Sequence, residues 1–178
     1  MIIYKLANFK HINNQDFNIE DFIDKVLVVD LKDVSKSSSE SIKNVLRKLN
    51  YNISLSLVPS KKIIKNEQFL HILEKTLRNI DTLFVDEAYL NEKLVDILEI
   101  SKTKYITLSP KTKSKDYELL LYKYSISGIT GINFDIDTVS KGHIALCSKF
   151  GLQSCVHSIS FERQMEKANS LNVDALFL

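Results

Sequence analysis

Glycine, proline, cysteine and tryptophan are all scarce in this sequence. Its 178 residues include four glycines, two prolines, two cysteines and no tryptophan. With so few chain breakers and no linker-like stretch, the sequence predicts a single domain over residues 1–178. Cys147 and Cys155 are too few for a disulfide framework and lack metal-ligand spacing, so we interpret both as reduced and structural.

Long apolar runs and a strong net charge are absent as well. The hydrophobic segments are short and interrupted by charge, which excludes a membrane-spanning helix. Because Met1–Phe9 lacks the features of a secretory signal, we expect a cytoplasmic protein. The net charge is +2, and nearly all basic residues are lysines. Three arginines supply little bidentate recognition, which argues against nucleic acid as a partner and leaves a protein partner open.

Eight short apolar runs predict β-strands. Their starts are separated by about 20 to 29 residues, the room needed for a strand, a helix and two short loops. The predicted strands are Ile2–Leu6, Val26–Lys32, Ile53–Val58, Thr82–Asp86, Lys104–Leu108, Ile129–Asp135, Gln153–Ser158 and Asp174–Leu178.

Amphipathic segments between these runs predict helices. Ser39–Leu49 and Glu67–Leu77 carry apolar residues at i, i+3, i+4 and i+7. Further helices are expected to begin near Asn91, at Ser114 or Asp116, at Ser140 and at Ser160, and Gly151 stands where a helix C-terminal glycine belongs. No helix follows the last strand, so either Asp16–Ile23 covers it or the natural chain continues past Leu178.

Parallel strands joined by helices close most simply into a compact (β/α)8 barrel of the TIM type. An open doubly wound sheet is the alternative, but the sequence has no Gly-x-Gly-x-x-Gly turn. In a barrel, function belongs at the C-terminal ends of the strands. The polar residues predicted there are Asp30, Lys32 and His157 as catalytic candidates, and Lys5, Lys61, Ser109, Lys111, Asn133 and Asp135 as ligand-binding candidates.

Two interpretations of these polar residues stay open. Lysines clustered after the strands, among them Lys61 and Lys111, would concentrate a phosphate or carboxylate ligand at the mouth. Alternatively, Asp30 and Lys32 only neutralise neighbouring charges, and the loop lysines reflect a lysine-rich composition. No His-Glu-x-x-His or similar metal spacing is present, so the identity of any metal ligand is unknown.

The segment GINFDIDTVSKGHIALCSKFGLQSCVHSIS, followed by FERQMEKANSLNVDALFL, resembles the closing third of the glycerophosphodiester phosphodiesterase family. Asn133, Ser140, Gly151, His157–Ser158 and Asn172–Val173–Asp174 stand in places comparable to that family's polar strand end, helix cap, helix stop, seventh strand end and final strand. The resemblance implies a barrel that binds, and in active members hydrolyses, a small phosphate-bearing ligand with a divalent metal such as Mg or Ca.

The sequence departs from that family at its catalytic motifs. Tyr4-Lys5-Leu6-Ala7 replaces a His-Arg-Gly sequence, Val28-Val29-Asp30 replaces Glu-x-Asp, and the insertion that carries the second histidine is missing. We therefore expect a degenerate phosphodiesterase-like barrel, or a non-catalytic barrel that binds a ligand or a protein. A degenerate cyclic-dinucleotide phosphodiesterase of the Glu-Ala-Leu type is a further alternative, based on the stretch ISLSLVPSKKIIKNEQFLHIL, although that family's signature motifs are absent.

Overall fold

The protein is a closed barrel of eight parallel strands in the computed structural model, which describes residues 1–8, 12, 24–30, 55–58, 80–87, 103–108 and 116–178. Each strand pairs with the next, and β1 also pairs with β8, which closes the sheet. The strands are β1 Ile2–Asn8, β2 Val26–Asp30, β3 Leu55–Val58, β4 Ile80–Asp86, β5 Thr103–Thr107, β6 Gly131–Asp135, β7 Gln153–His157 and β8 Ala175–Phe177. The predicted barrel and all eight predicted strands are confirmed.

Three helices of the described part connect the last strands: α1 Tyr117–Ile126, α2 Lys141–Lys149 and α3 Glu162–Leu171. Asp116 caps α1 by accepting a hydrogen bond from the Leu119 N–H, and Ser140 caps α2 by accepting one from the His143 N–H. The Ser140 cap was predicted, and Asp116 was one of two residues predicted to begin α1. Gly151 follows α2 with a φ of +67°, the left-handed conformation that ends a helix and favours glycine.

The start of α3 differs from the prediction. Phe161, not Ser160, is the N-cap residue. The Gln164 side-chain oxygen accepts hydrogen bonds from the N–H groups of both Ser160 and Phe161, so a residue inside the helix reaches back and fixes the start of α3. The predicted helices over 39–49 and 67–77, the one near Asn91 and the segment 16–23 lie outside the described residues, and the single domain over 1–178 stays a prediction.

Alternate residues of each strand face opposite sides of the barrel wall. In β2, Leu27 and Val29 pack in an outer layer together with helix residues such as Leu121 and Ala168. Val28, between them, packs in a separate inner cluster. That inner cluster fills the barrel interior and contains Tyr4, Val28, Phe84, Tyr105, Cys155 and Ala175, with Val26 and Phe177 against it.

Aromatic rings fill the centre of this interior. Phe84 stacks on Tyr105 with ring centroids 5.0 Å apart, and Tyr4 and Phe177 meet Phe84 at steeper angles. The neighbouring strand makes room through Gly131, where an added Cβ would overlap the Tyr105 ring. A glycine is required here because the ring occupies the place of a side chain.

Polar groups toward the N-terminal end of the barrel are paired. Tyr105 donates from its hydroxyl to the Gln153 side-chain oxygen at 2.6 Å. Asp174 accepts hydrogen bonds from the Ser154 N–H at 2.7 Å and from the Ser154 hydroxyl at 2.8 Å.

Burial raises the pKa of the Cys147 thiol to about 12, and Cys147 and Cys155 are both free thiols. Among the described helices, none is long and apolar enough to cross a membrane.

Candidate functional site

Six polar residues lie on the inner face toward the C-terminal mouth of the barrel; five of them end a strand, and Asn133 stands two residues before the end of β6. Alternation from the inner cluster places them there: Asp30, Asp86, Thr107, Asn133, Asp135 and His157. Asp30, Asp86 and Asp135 are the last residues of β2, β4 and β6. Since inward side chains of alternate strands share a layer, these carboxylates belong to one layer of the interior.

Asn133 is buried below this layer, with 2% of its surface exposed. Its amide nitrogen donates to the Thr107 hydroxyl oxygen on the neighbouring strand at 3.1 Å. The Asn133 amide oxygen is buried and has no hydrogen-bond partner among the described residues. A buried polar atom of this kind costs roughly 1–3 kcal/mol unless a partner arrives.

His157 is the second inner polar group of this kind. Its Nδ1 lies 2.8 Å from the Ser158 hydroxyl oxygen, whereas its Nε2 is buried and, in the part of the chain described, unpartnered. Burial lowers the pKa of His157, and the nearby Asp135 carboxylate opposes that shift without cancelling it. The imidazole is therefore held in its neutral form near pH 7.

Ser158, which follows His157 directly, has an unusual backbone. Its φ is +66°, in the left-handed region that residues other than glycine seldom adopt. Such a conformation costs about 1–2 kcal/mol and is often found at functional sites. It brings the serine hydroxyl against the ring of the preceding residue.

Asp135 has a local structural role. Its carboxylate accepts a hydrogen bond from the Asp137 N–H at 2.9 Å, and its carbonyl oxygen accepts from the N–H groups of Thr138 and Val139. Lys167 of α3 donates to the Ile136 carbonyl oxygen at 2.6 Å, which ties the same turn to the helix. The turn after β6 is thus fixed from two sides, beside the register partner of Asp135, His157.

The predicted site residues do not all converge. Asp30, Asn133, Asp135 and His157 share the inner face at the mouth. Lys5 pairs in register with Leu27 of the outer layer and shares its strand face with Ala7, so it lies on the outside of the barrel wall. Lys32, Lys61, Ser109 and Lys111 lie outside the described residues.

Three residues of the site were not among the predicted ligands. Thr107 holds the Asn133 amide, Asp86 completes the layer of carboxylates, and Ser158 contacts His157. The position of Asp86 at a strand end was visible in the sequence. The role of Thr107 depends on the pairing of β5 with β6, and the backbone of Ser158 has no sequence signal.

A divalent metal does not fit the described part of the mouth. No group of three or more His, Cys, Asp or Glu side chains within the described ranges is arranged to hold one. The carboxylate layer and His157 are spread over β2, β4, β6 and β7.

The fold is shared with several solved barrels. A candidate glycerophosphoryl diester phosphodiesterase from Agrobacterium tumefaciens aligns at a TM-score of 0.60 and 16% identity over 76% of this chain, and the chain spans 58% of that protein's length. RipC from Yersinia pestis aligns at a TM-score of 0.61 and 11% identity, over 99% of this chain and 87% of RipC. The EAL domain of Mycobacterium smegmatis DcpA aligns at 0.52 and 13%, over 79% of this chain and 76% of the domain.

These identities support a common fold and nothing finer. No protein-family model matches the chain, and no curated protein matches it. The chain shares its overall barrel fold with these solved structures.

Proposed function

We propose that this barrel binds a small phosphate-bearing ligand at its C-terminal mouth, with Asn133 and His157 as the interior hydrogen-bonding groups. The observation that carries the proposal is a pair of buried polar atoms on neighbouring strands, the Asn133 amide oxygen and His157 Nε2, which have no partner within the described ranges. Native proteins rarely leave such atoms unpaired, and a bound ligand is a common reason. The phosphodiester named for the Agrobacterium barrel supports phosphate as the ligand class.

Both groups suit an anionic oxygen. If the Thr107 hydroxyl donates to Asn133, the asparagine amide turns over and offers an N–H to the ligand. Neutral His157 offers an N–H from Nε2 in one of its two tautomers. Lys61 and Lys111 follow the ends of β3 and β5 in the sequence and would supply positive charge.

The carboxylates at the mouth indicate which chemical groups the ligand carries besides its phosphate. A carboxylate has about four lone-pair sites, so Asp30, Asp86 and Asp135 can each accept a hydrogen bond from a ligand hydroxyl in addition to the contacts they already make. A ligand that combines a phosphate with hydroxyl groups would satisfy both sets, because carboxylates accept hydrogen bonds from hydroxyls. A phosphate ester of a small polyol is such a ligand.

Hydrolysis is the second candidate function. Asp30, Lys32 and His157 would then be the catalytic residues, and neutral His157 has the protonation state that a general base needs. Because the family's catalytic motifs are missing from the sequence, we rank turnover behind binding and describe the barrel as degenerate. A barrel that binds a protein instead remains the non-catalytic alternative.

A thermal-shift titration separates these functions. Inorganic phosphate and glycerophosphocholine are each added to the full chain, and a ligand at ten times its Kd should raise the Tm by about 3–6 °C. Asn133→Ala and His157→Gln should abolish the shift, while Ser170→Ala on the exposed side of α3 should keep it. Release of choline during the titration would establish hydrolysis, and an unchanged Tm with both probes would contradict the proposal.

A further inference from the structure

Ser158 and His157 together determine which nitrogen of the imidazole faces the barrel interior. The Ser158 hydroxyl oxygen lies 2.8 Å from Nδ1, so that nitrogen is already engaged. Nε2 is left as the buried, unpartnered atom within the described part of the mouth. The function of His157 thus depends on whether Nε2 carries the proton.

We propose that Ser158 is a positioning residue that fixes His157 in the Nε2–H tautomer, which makes His157 a hydrogen-bond donor to the ligand and not a proton acceptor. This inference deepens the proposed function and rests on it for the identity of the ligand. Ser158 acts through His157 and need not touch the ligand itself.

The chemistry of the contact favours this direction. An imidazole nitrogen is a better acceptor than an alcohol oxygen, and a serine hydroxyl rotates freely to donate. A hydroxyl that donates to Nδ1 leaves the ring's proton on Nε2. The alternative tautomer would leave a buried lone pair pointing at an anion, which an anionic ligand would disfavour.

The backbone supports a dedicated role for this serine. Ser158 has a φ of +66°, which glycine would adopt with less strain. The left-handed turn at the end of β7 places the hydroxyl beside the ring of the residue before it. A serine that held no function here could be replaced by glycine with a gain in stability.

Two substitutions distinguish the effect of the Ser158 hydroxyl on the His157 tautomer from the effect of the strained Ser158 backbone. Ser158→Ala removes the hydroxyl and keeps a side chain at positive φ, whereas Ser158→Gly removes the hydroxyl and relieves the strain. Ser160→Ala is the control, because Ser160 is an exposed serine of the same loop whose recorded hydrogen bond is made by its backbone N–H.

The readout is a two-bond ¹H–¹⁵N correlation spectrum of the ligand-free full chain labelled on its four histidines, with His157→Gln to assign the signal. We expect the wild type and Ser160→Ala to show the Nε2–H pattern, and both Ser158 variants to show a mixture of tautomers. An Nδ1–H pattern in the wild type, or an unchanged pattern in both Ser158 variants, would overturn the assignment.

A second measurement tests phosphate binding separately from the tautomer of His157. The Kd for inorganic phosphate, measured by calorimetry, should rise about two- to threefold in Ser158→Ala and in Ser158→Gly, because only the fraction of molecules that carry the proton on Nε2 is competent to bind. A Kd unchanged in both variants would overturn the positioning role. Failure of phosphate to bind the wild type, with the Nε2–H pattern intact, would overturn the proposed function and leave the tautomer assignment standing.

Discussion

The two halves of the barrel interior differ in how they are packed and in whether their polar atoms have hydrogen-bond partners. Toward the N-terminal end, Phe84 and Tyr105 stack and the Tyr105 hydroxyl is paired with Gln153. Toward the C-terminal end, Asn133 and His157 each keep a buried polar atom without a partner in the described part of the chain. The same strands build both halves, so the difference lies in which residues were placed at successive inner positions.

The packed half of the interior accounts for stability, and the polar half is where the proposed ligand would bind. A close-packed aromatic layer contributes burial and contact energy and tolerates no change of volume. Buried polar atoms that lack a partner in the described part of the chain, here the Asn133 amide oxygen and His157 Nε2, cost stability unless a ligand satisfies them. We therefore expect substitutions below the mouth to affect unfolding, and substitutions at the mouth to affect ligand response.

The largest effect is expected from Phe84→Ala in the packed half. Phe84 is 1% exposed and contacts three other rings, so its truncation should cost about 3–5 kcal/mol of unfolding free energy. Urea unfolding followed by circular dichroism measures this. Phe161→Ala, at a position 73% exposed, should change stability by less than about 0.5 kcal/mol. Equal losses in both variants would refute the layered interior.

Gly131→Ala should give the next largest loss. The new methyl group would meet the Tyr105 ring and the Gln153 carbonyl oxygen, and such overpacking costs about 1–3 kcal/mol. Gly142→Ala in α2 is the matched control, because its nearest contact would be an ordinary 3.6 Å and alanine favours helix. Comparison of the two unfolding midpoints tests the prediction, which a stabilising Gly131→Ala would contradict.

A pair of smaller substitutions compares the halves directly. Tyr105→Phe removes a satisfied hydrogen bond and should cost about 1 kcal/mol. Asn133→Ala removes an unpaired amide oxygen along with one hydrogen bond to Thr107, so its loss should be smaller, near zero within about 1 kcal/mol. The same unfolding assay measures both, and a larger loss for Asn133→Ala would show that the mouth is built for stability.

The smallest effect concerns pH. Burial lowers the folded-state pKa of His157 below its ordinary 6.5, so the unfolded chain binds a proton more readily. The stability linked to His157 is complete above pH 6.5 and falls as the pH drops from there toward the lower folded pKa. In His157→Gln, unfolding free energy should depend less on pH between 7 and 5. Burial also lowers the pKa of His143, so part of the pH dependence of the unfolding free energy should remain in His157→Gln. The same pH dependence in wild type and variant would contradict the prediction.

Much of the fold could be predicted because it depends on local chemistry. Asp116 and Ser140 cap helices with their own side chains, and Gly151 supplies a positive φ that other residues avoid. Strand runs separated by helices restrict the topology to parallel pairing. The start of α3 was misplaced by one residue, since Gln164 caps it from within the helix.

The site was less accessible from the sequence. Strand-end polarity selected Asp30, Asn133, Asp135 and His157, which lie on the inner face, and it also selected Lys5, which the register places on the outer face. Alternation predicts which residues share a face, but only strand pairing decides which face is the interior.

The amino-acid sequence determined the order and type of the elements, because caps, breakers and apolar spacing act between residues close along the chain. The tertiary structure alone decided that Thr107 would bind Asn133, that Tyr105 would require Gly131, and that His157 Nε2 would be buried. Those relations join residues on different strands, and closing the barrel is the event that brings them together.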